Sequence, residues 1–229
     1  MIRCKALTAA LLLTALGASA QDQPEYRMEL GAGAGLATYQ GDFSDNLVSG
    51  MQPLGGVMAK YKLNPRMAWT LAVGMGKLKG SSKNAGTWYP DAAQQPIDFS
   101  TSLTDVSLRY EYNFWAFGTG QEYRNAKPLT PFVTLGMGLA FAKPKDASSA
   151  TGGQLLFGAG VKYKLAQRLN LAAEWVMHFT GTDRLDGIED PYGIKSDGLF
   201  KNTDCYSVIA LTLTYDLWVK CRTCHNDKD

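Results

Sequence analysis

The sequence predicts an all-β protein: an eight-stranded antiparallel transmembrane β-barrel that follows a cleaved signal peptide. Three observations predict it. From Val57 to Met75 two arms alternate strictly, Val57, Ala59, Tyr61 and Leu63 against Met58, Lys60 and Lys62, then Trp69, Leu71, Val73 and Met75 against Thr70, Ala72, Gly74 and Gly76. Period two with one apolar face and one small or charged face marks a strand between unlike media. The hairpin then returns, with Tyr61-Lys62-Leu63-Asn64-Pro65-Arg66 echoed by Tyr163-Lys164-Leu165-Ala166-Gln167-Arg168, as one unit reused around a closed sheet would be. Finally, long or polar connections alternate with tight ones, only Trp115 to Thr130 breaking the pattern, which is the habit of barrels with outer loops and inner turns.

The chain opens with Arg3 and Lys5, an apolar run from Ala6 to Leu16, and Ala18-Ser19-Ala20 before Gln21. This reads as a secretory signal peptide, residues 1–20, too short in its apolar run to span a bilayer as a helix. Cys4 precedes that run, so it offers no lipid anchor at the cleavage point. The barrel is expected over residues 21–219 and a C-terminal tail over 220–229. A mean hydropathy of −0.17 fits strands in which every second residue faces a polar lumen. With 23 basic and 21 acidic residues, the balance excludes a nucleic-acid binder.

The first strand runs from about Tyr26 to Tyr39, with Met28, Leu30, Ala32, Ala34 and Leu36 outward and Glu29, Gly31, Gly33, Gly35 and Ala37 inward. Inward glycines are expected to make room for long side chains of neighbouring strands. The hairpin at Asn64-Pro65 supplies strands two and three, and Leu78 to Thr101 reads as a long loop rich in Ser, Asn, Gly and Pro. Strand four places Val106, Leu108, Tyr110, Tyr112 and Phe114 outward and Asp105, Ser107, Arg109 and Glu111 inward, which predicts a salt-bridged lumen. The connector Trp115 to Thr130 carries Glu122, Tyr123 and Arg124. Strand five turns Val133, Leu135, Met137, Leu139 and Phe141 outward, and a short polar loop, Lys143 to Gly152, follows. The second hairpin gives strands six and seven, and after the loop Gly181 to Thr203 the last strand shows Ile209, Leu211, Leu213, Tyr215 and Leu217 outward.

Long loops outside and short turns in the periplasm would put both termini in the periplasm, and Tyr61, Tyr112, Phe114, Tyr163 and Tyr215 gather at that end as an interfacial belt. A soluble sandwich or lipocalin-like barrel would alternate in the same way. It would also have to expose many Leu, Trp and Tyr residues at its strand ends.

Tyr39-Gln40-Gly41-Asp42, Tyr61-Lys62-Leu63-Asn64-Pro65-Arg66, Glu111-Tyr112-Asn113-Phe114, Pro131-Phe132-Val133 and Thr182-Asp183-Arg184-Leu185-Asp186, in this order over nearly the whole mature chain, resemble the PorG family. Arg184 departs from the aromatic residue expected in that last run. The resemblance implies a small outer-membrane barrel of Bacteroidetes, a non-catalytic component of the type IX secretion system that links a periplasmic PorK/PorN ring to the outer membrane. An OmpA/OmpX-like structural or adhesive barrel and a lipid-modifying barrel enzyme are the alternatives.

Chemistry-bearing residues are sparse. Cys221-Arg-Thr-Cys224-His225 matches the c-type haem attachment pattern, but no domain flanks it to wrap a haem, so a local disulfide, a metal clip or an intermolecular thiol is preferred. Cys205 begins the last strand, too far along it to pair with Cys221. His178 shares an inward face with Glu174, and Ser196 and Ser207 lie near, which is the basis for the enzyme alternative; the reading taken is a hydrogen-bonded lumen histidine. Catalytic residues, metal and cofactor are thus expected to be absent, with outer-membrane lipid as environment and neither nucleic acid nor a small-molecule substrate. The expected contact surface is the periplasmic rim and tail: Asn64, Arg66, Tyr123, Arg124, Arg168, Cys221, Cys224 and His225.

Overall fold

In the computed structural model, the described residues are 26–40, 50–81, 98–119, 126–145, 147–182, 184, 185, 187 and 204–219. They form strands β1 (Tyr26–Gln40), β2 (Gln52–Asn64), β3 (Met67–Ser81), β4 (Asp98–Asn113), β5 (Leu129–Pro144), β6 (Ala150–Ala166), β7 (Leu169–Thr180) and β8 (Cys205–Val219). Each strand pairs antiparallel with its sequence neighbour, and β8 closes on β1 from Tyr26↔Val219 to Gln40↔Cys205. No strand edge is left open, so every backbone donor and acceptor of the wall can be satisfied inside it, which crossing a bilayer demands.

The stagger of the barrel can be read from the register. Starting at Glu29, the pairs run through Lys60, Thr70, Arg109, Gly136, Leu156, His178 and Tyr206 and return to β1 at Tyr39, ten residues further on. Eight strands with this shear leave an interior that side chains alone can fill.

Alternation decides what fills it. The outward row is bare hydrocarbon, with Leu135 at 63%, Met137 at 65% and Leu211 at 60% exposed. That row needs lipid, because no soluble domain leaves so much contiguous apolar wall uncovered. Trp69 and Tyr110 pack edge to face at 5.3 Å, Tyr112 and Phe114 at 5.8 Å, and with exposed Tyr61, Tyr163, Tyr215, Trp115 and Trp218 they form the belt near the tight turns.

The two tight hairpins share one irregularity. The register slips between Lys62 and Asn64, opposite Met67, and again between Lys164 and Ala166, opposite Leu169. The sequence echo is therefore a structural repeat down to its bulge. In the first copy Asn64 Oδ1 accepts the Arg66 N–H at 2.8 Å and holds the turn. We call this rim the turn end and the opposite rim the loop end.

Two expectations change. Leu78 to Ser81 and Asp98 to Thr101 are strand, paired rung by rung, so the loop between β3 and β4 is shorter than the polar composition implies. In the same way β5 runs to Pro144 and β6 begins at Ala150. Inward glycines also make room for more than long side chains. A Cβ on Gly35 would lie 2.2 Å from the Ile209 carbonyl oxygen, so there glycine lets β1 and β8 themselves approach; at Gly160 it would meet the Phe132 ring at 2.6 Å.

Candidate functional site

The interior near the turn end is built from charge. Lys62 Nζ lies 2.8 Å from Glu29 Oε1 and 2.7 Å from Asp216 Oδ1; Lys164 Nζ lies 3.3 Å from Asp216 Oδ2. Lys60 donates to Glu111 Oε2 at 2.7 Å and Lys162 to Glu111 Oε1. Thr214 Oγ1 donates to Glu29 at 2.8 Å and Asn170 Nδ2 to Asp216 at 3.2 Å, using remaining carboxylate lone pairs. One turn further in, Arg109 Nη1 lies 3.5 Å from Glu174. Lys60, Lys62, Arg109, Lys162 and Lys164 thus interleave with Glu29, Asp105, Glu111, Glu174 and Asp216. Buried charge survives only when paired and hydrogen-bonded. The four lysines meet that demand, whereas Arg109 Nε has no hydrogen-bond partner among the described residues and Asp105 faces the central cavity.

A residue that strand periodicity misses closes this half. Phe117, in the connector between β4 and β5, is 2% exposed and lies under the ammonium groups of Lys164 at 5.3 Å and Lys162 at 5.8 Å. Its N–H donates to the Pro65 carbonyl at 2.9 Å, the Asn113 N–H donates to the Arg66 carbonyl at 2.7 Å, and Thr119 Oγ1 donates to the Gln167 carbonyl at 3.1 Å. The connector is pinned across the turn end and both hairpin turns.

The loop-end half is hydrocarbon. Tyr39, Leu78, Phe99, Leu103, Ala142 and Tyr206 pack as one buried cluster, joined by Leu185 from the connection between β7 and β8. Asp204 clasps it: Tyr39 Oη donates to one carboxylate oxygen and the Leu185 N–H donates to the other at 2.9 Å. Below this plug His178 stacks on Tyr206 at 4.2 Å, with its Nδ1 3.2 Å from Gln154 Oε1, to which Tyr206 Oη donates at 2.8 Å. Ser207 turns to the other face of β8, where Gln40 Nε2 donates to it at 3.2 Å. His178 is thus engaged in a buried stack, and the described serine nearest in register is directed away from it.

Between the halves lies a cavity of about 60 Å³ lined by Met58, Asp105, Arg109, Glu174, His178 and Thr212. That is room for roughly four to six waters. Among the described residues no group of three or more His, Cys, Asp or Glu could hold a metal ion.

A closed eight-strand wall with an apolar outside and a filled, charge-balanced inside is the architecture of a membrane barrel. The model of the outer membrane protein beta-barrel domain matches residues 8–204. The chain belongs to that family. Its place is accordingly the outer membrane. Among solved structures, this outer-membrane barrel is similar to Neisserial surface protein A at 12% identity and a TM-score of 0.53, covering 83% of this chain and 97% of that one. It also matches OprG from Pseudomonas aeruginosa at 10% identity and 0.44, covering 87% and 99%, and the outer membrane enzyme PagL at 10% and 0.38, covering 82% and 99%. At such identities the likeness is one of fold. No curated protein matches the chain.

The residues expected at the barrel's contact surface fare unequally. Asn64 and Arg66 sit exposed on the first hairpin turn. Arg168, on the second, is committed to the barrel: its Nε donates to Tyr26 Oη at 2.7 Å and its guanidinium stacks over the Tyr26 ring at 4.9 Å, with Tyr215 Oη 3.5 Å away. It ties the β1–β8 seam at the rim. Tyr123, Arg124, Cys221, Cys224 and His225 lie outside the described residues, as do Ser196, residues 1–20, expected as a signal peptide, and residues 220–229, expected as a tail.

The motifs behind the family resemblance fall into two clusters. Arg66, Glu111, Asn113, Phe114, Pro131 and Phe132 meet at the turn end, where the Phe114 N–H donates to the Pro131 carbonyl at 3.0 Å. Tyr39 and Leu185 meet at the loop end. Much of what the motifs encode is therefore closure of the barrel.

Proposed function

We propose that this protein is a non-catalytic, non-conducting outer-membrane barrel that anchors a partner at its turn end. The observation that carries the reading is the lumen: it is occupied on both sides of the central cavity, by paired charges under Phe117 on one side and by the Tyr39–Phe99–Leu185 plug on the other. With neither a channel nor an open cleft formed among the described residues, function falls to what the two rims display. The short turns face the periplasm, as the alternation of loop lengths favours.

The resemblance to the PorG family supplies the partner: the periplasmic PorK/PorN ring of the type IX secretion system. Arg66, exposed on a turn that the connector pins in place, is the best-placed contact; Arg168 lies on the same rim, held against Tyr26 and Tyr215. A photo-crosslinker at Arg66, with truncation after Lys220 as the second variant, tests this in intact cells. Crosslinks to ring proteins and reduced export of type IX cargo in the truncated strain are expected. Normal insertion with neither crosslinks nor an export defect would overturn the reading and move function to the outer loops.

A further inference from the structure

Four lysines stand on the membrane-facing wall rather than in the lumen. Lys77 on β3 pairs in register with Ser102 on β4, and Ser102 with Lys143 on β5. One rung nearer the loop-end rim, Lys79 pairs with Ser100, whose carbonyl accepts the Lys145 N–H at 3.1 Å. The result is two parallel rows, each lysine, serine, lysine. Leu78, Phe99, Thr101, Leu103 and Ala142 interleave with them and are buried inside, so all four lysines point outward, and all are exposed.

Their state differs from that of the lumen lysines. Lys60, Lys62, Lys162 and Lys164 all meet carboxylates. Among the described residues, the side chains of Lys77, Lys79, Lys143 and Lys145 meet no ion-pair or hydrogen-bond partner. Among the described residues, the carboxylate on this face at this end of β3, β4 and β5 is Asp98, a rung beyond, opposite Ser81.

Position selects the ligand. On β3 the lysines follow Met75, 62% exposed, and on β5 they follow Leu139 and Phe141, also exposed. Each strand therefore changes from bare hydrocarbon to lysine at the height where lipid tails give way to headgroups, and long stems can lie along the wall while the ammonium groups reach that level. Neighbouring strands are about 4.8 Å apart, so two lysines can converge above the serine hydroxyl between them. Unpaired cations with a hydroxyl between them, at headgroup depth, suit a phosphate group. A soluble polyanion or protein would meet the loops, not a wall whose next row is Met75 and Phe141.

We propose that the outward face of β3, β4 and β5 at the loop end binds the phosphorylated headgroup of an outer-leaflet lipid. The outer-leaflet assignment rests on the orientation given above; the phosphate site itself does not. The test uses the refolded full barrel and phosphatidylcholine vesicles with or without diphosphoryl lipid A, comparing the parent with the K77Q/K79Q/K143Q/K145Q variant. Preferential binding by the parent that weakens with salt and falls roughly tenfold or more in the variant is expected. Unchanged thermal unfolding in detergent shows that the variant folds, and K127Q serves as a control that removes an exposed lysine at the turn end. Equal binding by parent and quadruple variant would overturn the site. Orientation is read separately from an epitope inserted after Ser148: detection on intact cells places the site in the outer leaflet, whereas detection only after permeabilisation overturns that placement while leaving the vesicle result to judge the phosphate site.

Discussion

Toward the tight turns the lumen is filled by lysines and carboxylates; toward the loops the same wall encloses tyrosine, phenylalanine and leucine. Both halves occupy the lumen, but by different physics. The charged half gains little net stability, because desolvation offsets most of the attraction; what it gains is a strict requirement that every member be present. The apolar half gains stability from each buried group in proportion to its area and tolerates partial loss. The difference teaches that a barrel this narrow can be closed either by a network that fails as a unit or by a plug that erodes.

The largest effect is expected in the network. Glu111→Ala leaves Lys60 and Lys162 facing each other without their shared carboxylate and should cost about 3–5 kcal/mol, measured by urea unfolding in lipid vesicles. Replacing all three residues together with Met and Leu should restore most of that loss. If the single variant is no worse than the triple, the charged half is not cooperative and the comparison fails.

In the plug, Leu103→Ala should cost about 2–5 kcal/mol. Here a further truncation, such as Leu78→Ala, should add to the loss rather than saturate. On the apolar outer wall between the rims, Leu211→Arg should cost roughly 2–4 kcal/mol in lipid. If this variant folds and inserts like the parent, the assignment of inside and outside is wrong. Gly160→Ala, which presses a methyl group toward Phe132 and the Ala173 carbonyl, should cost about 1–3 kcal/mol in the same assay.

The charged half was largely legible in the sequence. Lys60, Lys62, Arg109, Glu111, Lys162, Lys164 and Glu174 occupy inward positions fixed by alternation against an apolar outer row, and all are found inside. Their pairing was not legible, since Glu29 and Asp216 reach Lys62 only across a register set by closure of β8 on β1. The apolar half was partly hidden for a physical reason. Beyond the lipid boundary the pattern inverts: Lys77 and Lys79 turn outward to polar surroundings while Leu78 and Phe99 turn inward, so a test for an apolar outer row reads strand as loop. Phe117 and Leu185 come from connections with no period at all, and only the folded chain reveals that they close the two ends.

Closure is the claim on which the rest depends, and planar-bilayer recording tests it most directly. The purified barrel should insert without stable current steps, because paired charges and the apolar plug occupy the lumen on either side of the cavity near Arg109 and Glu174. Stable open channels of porin size in the parent protein would contradict the account.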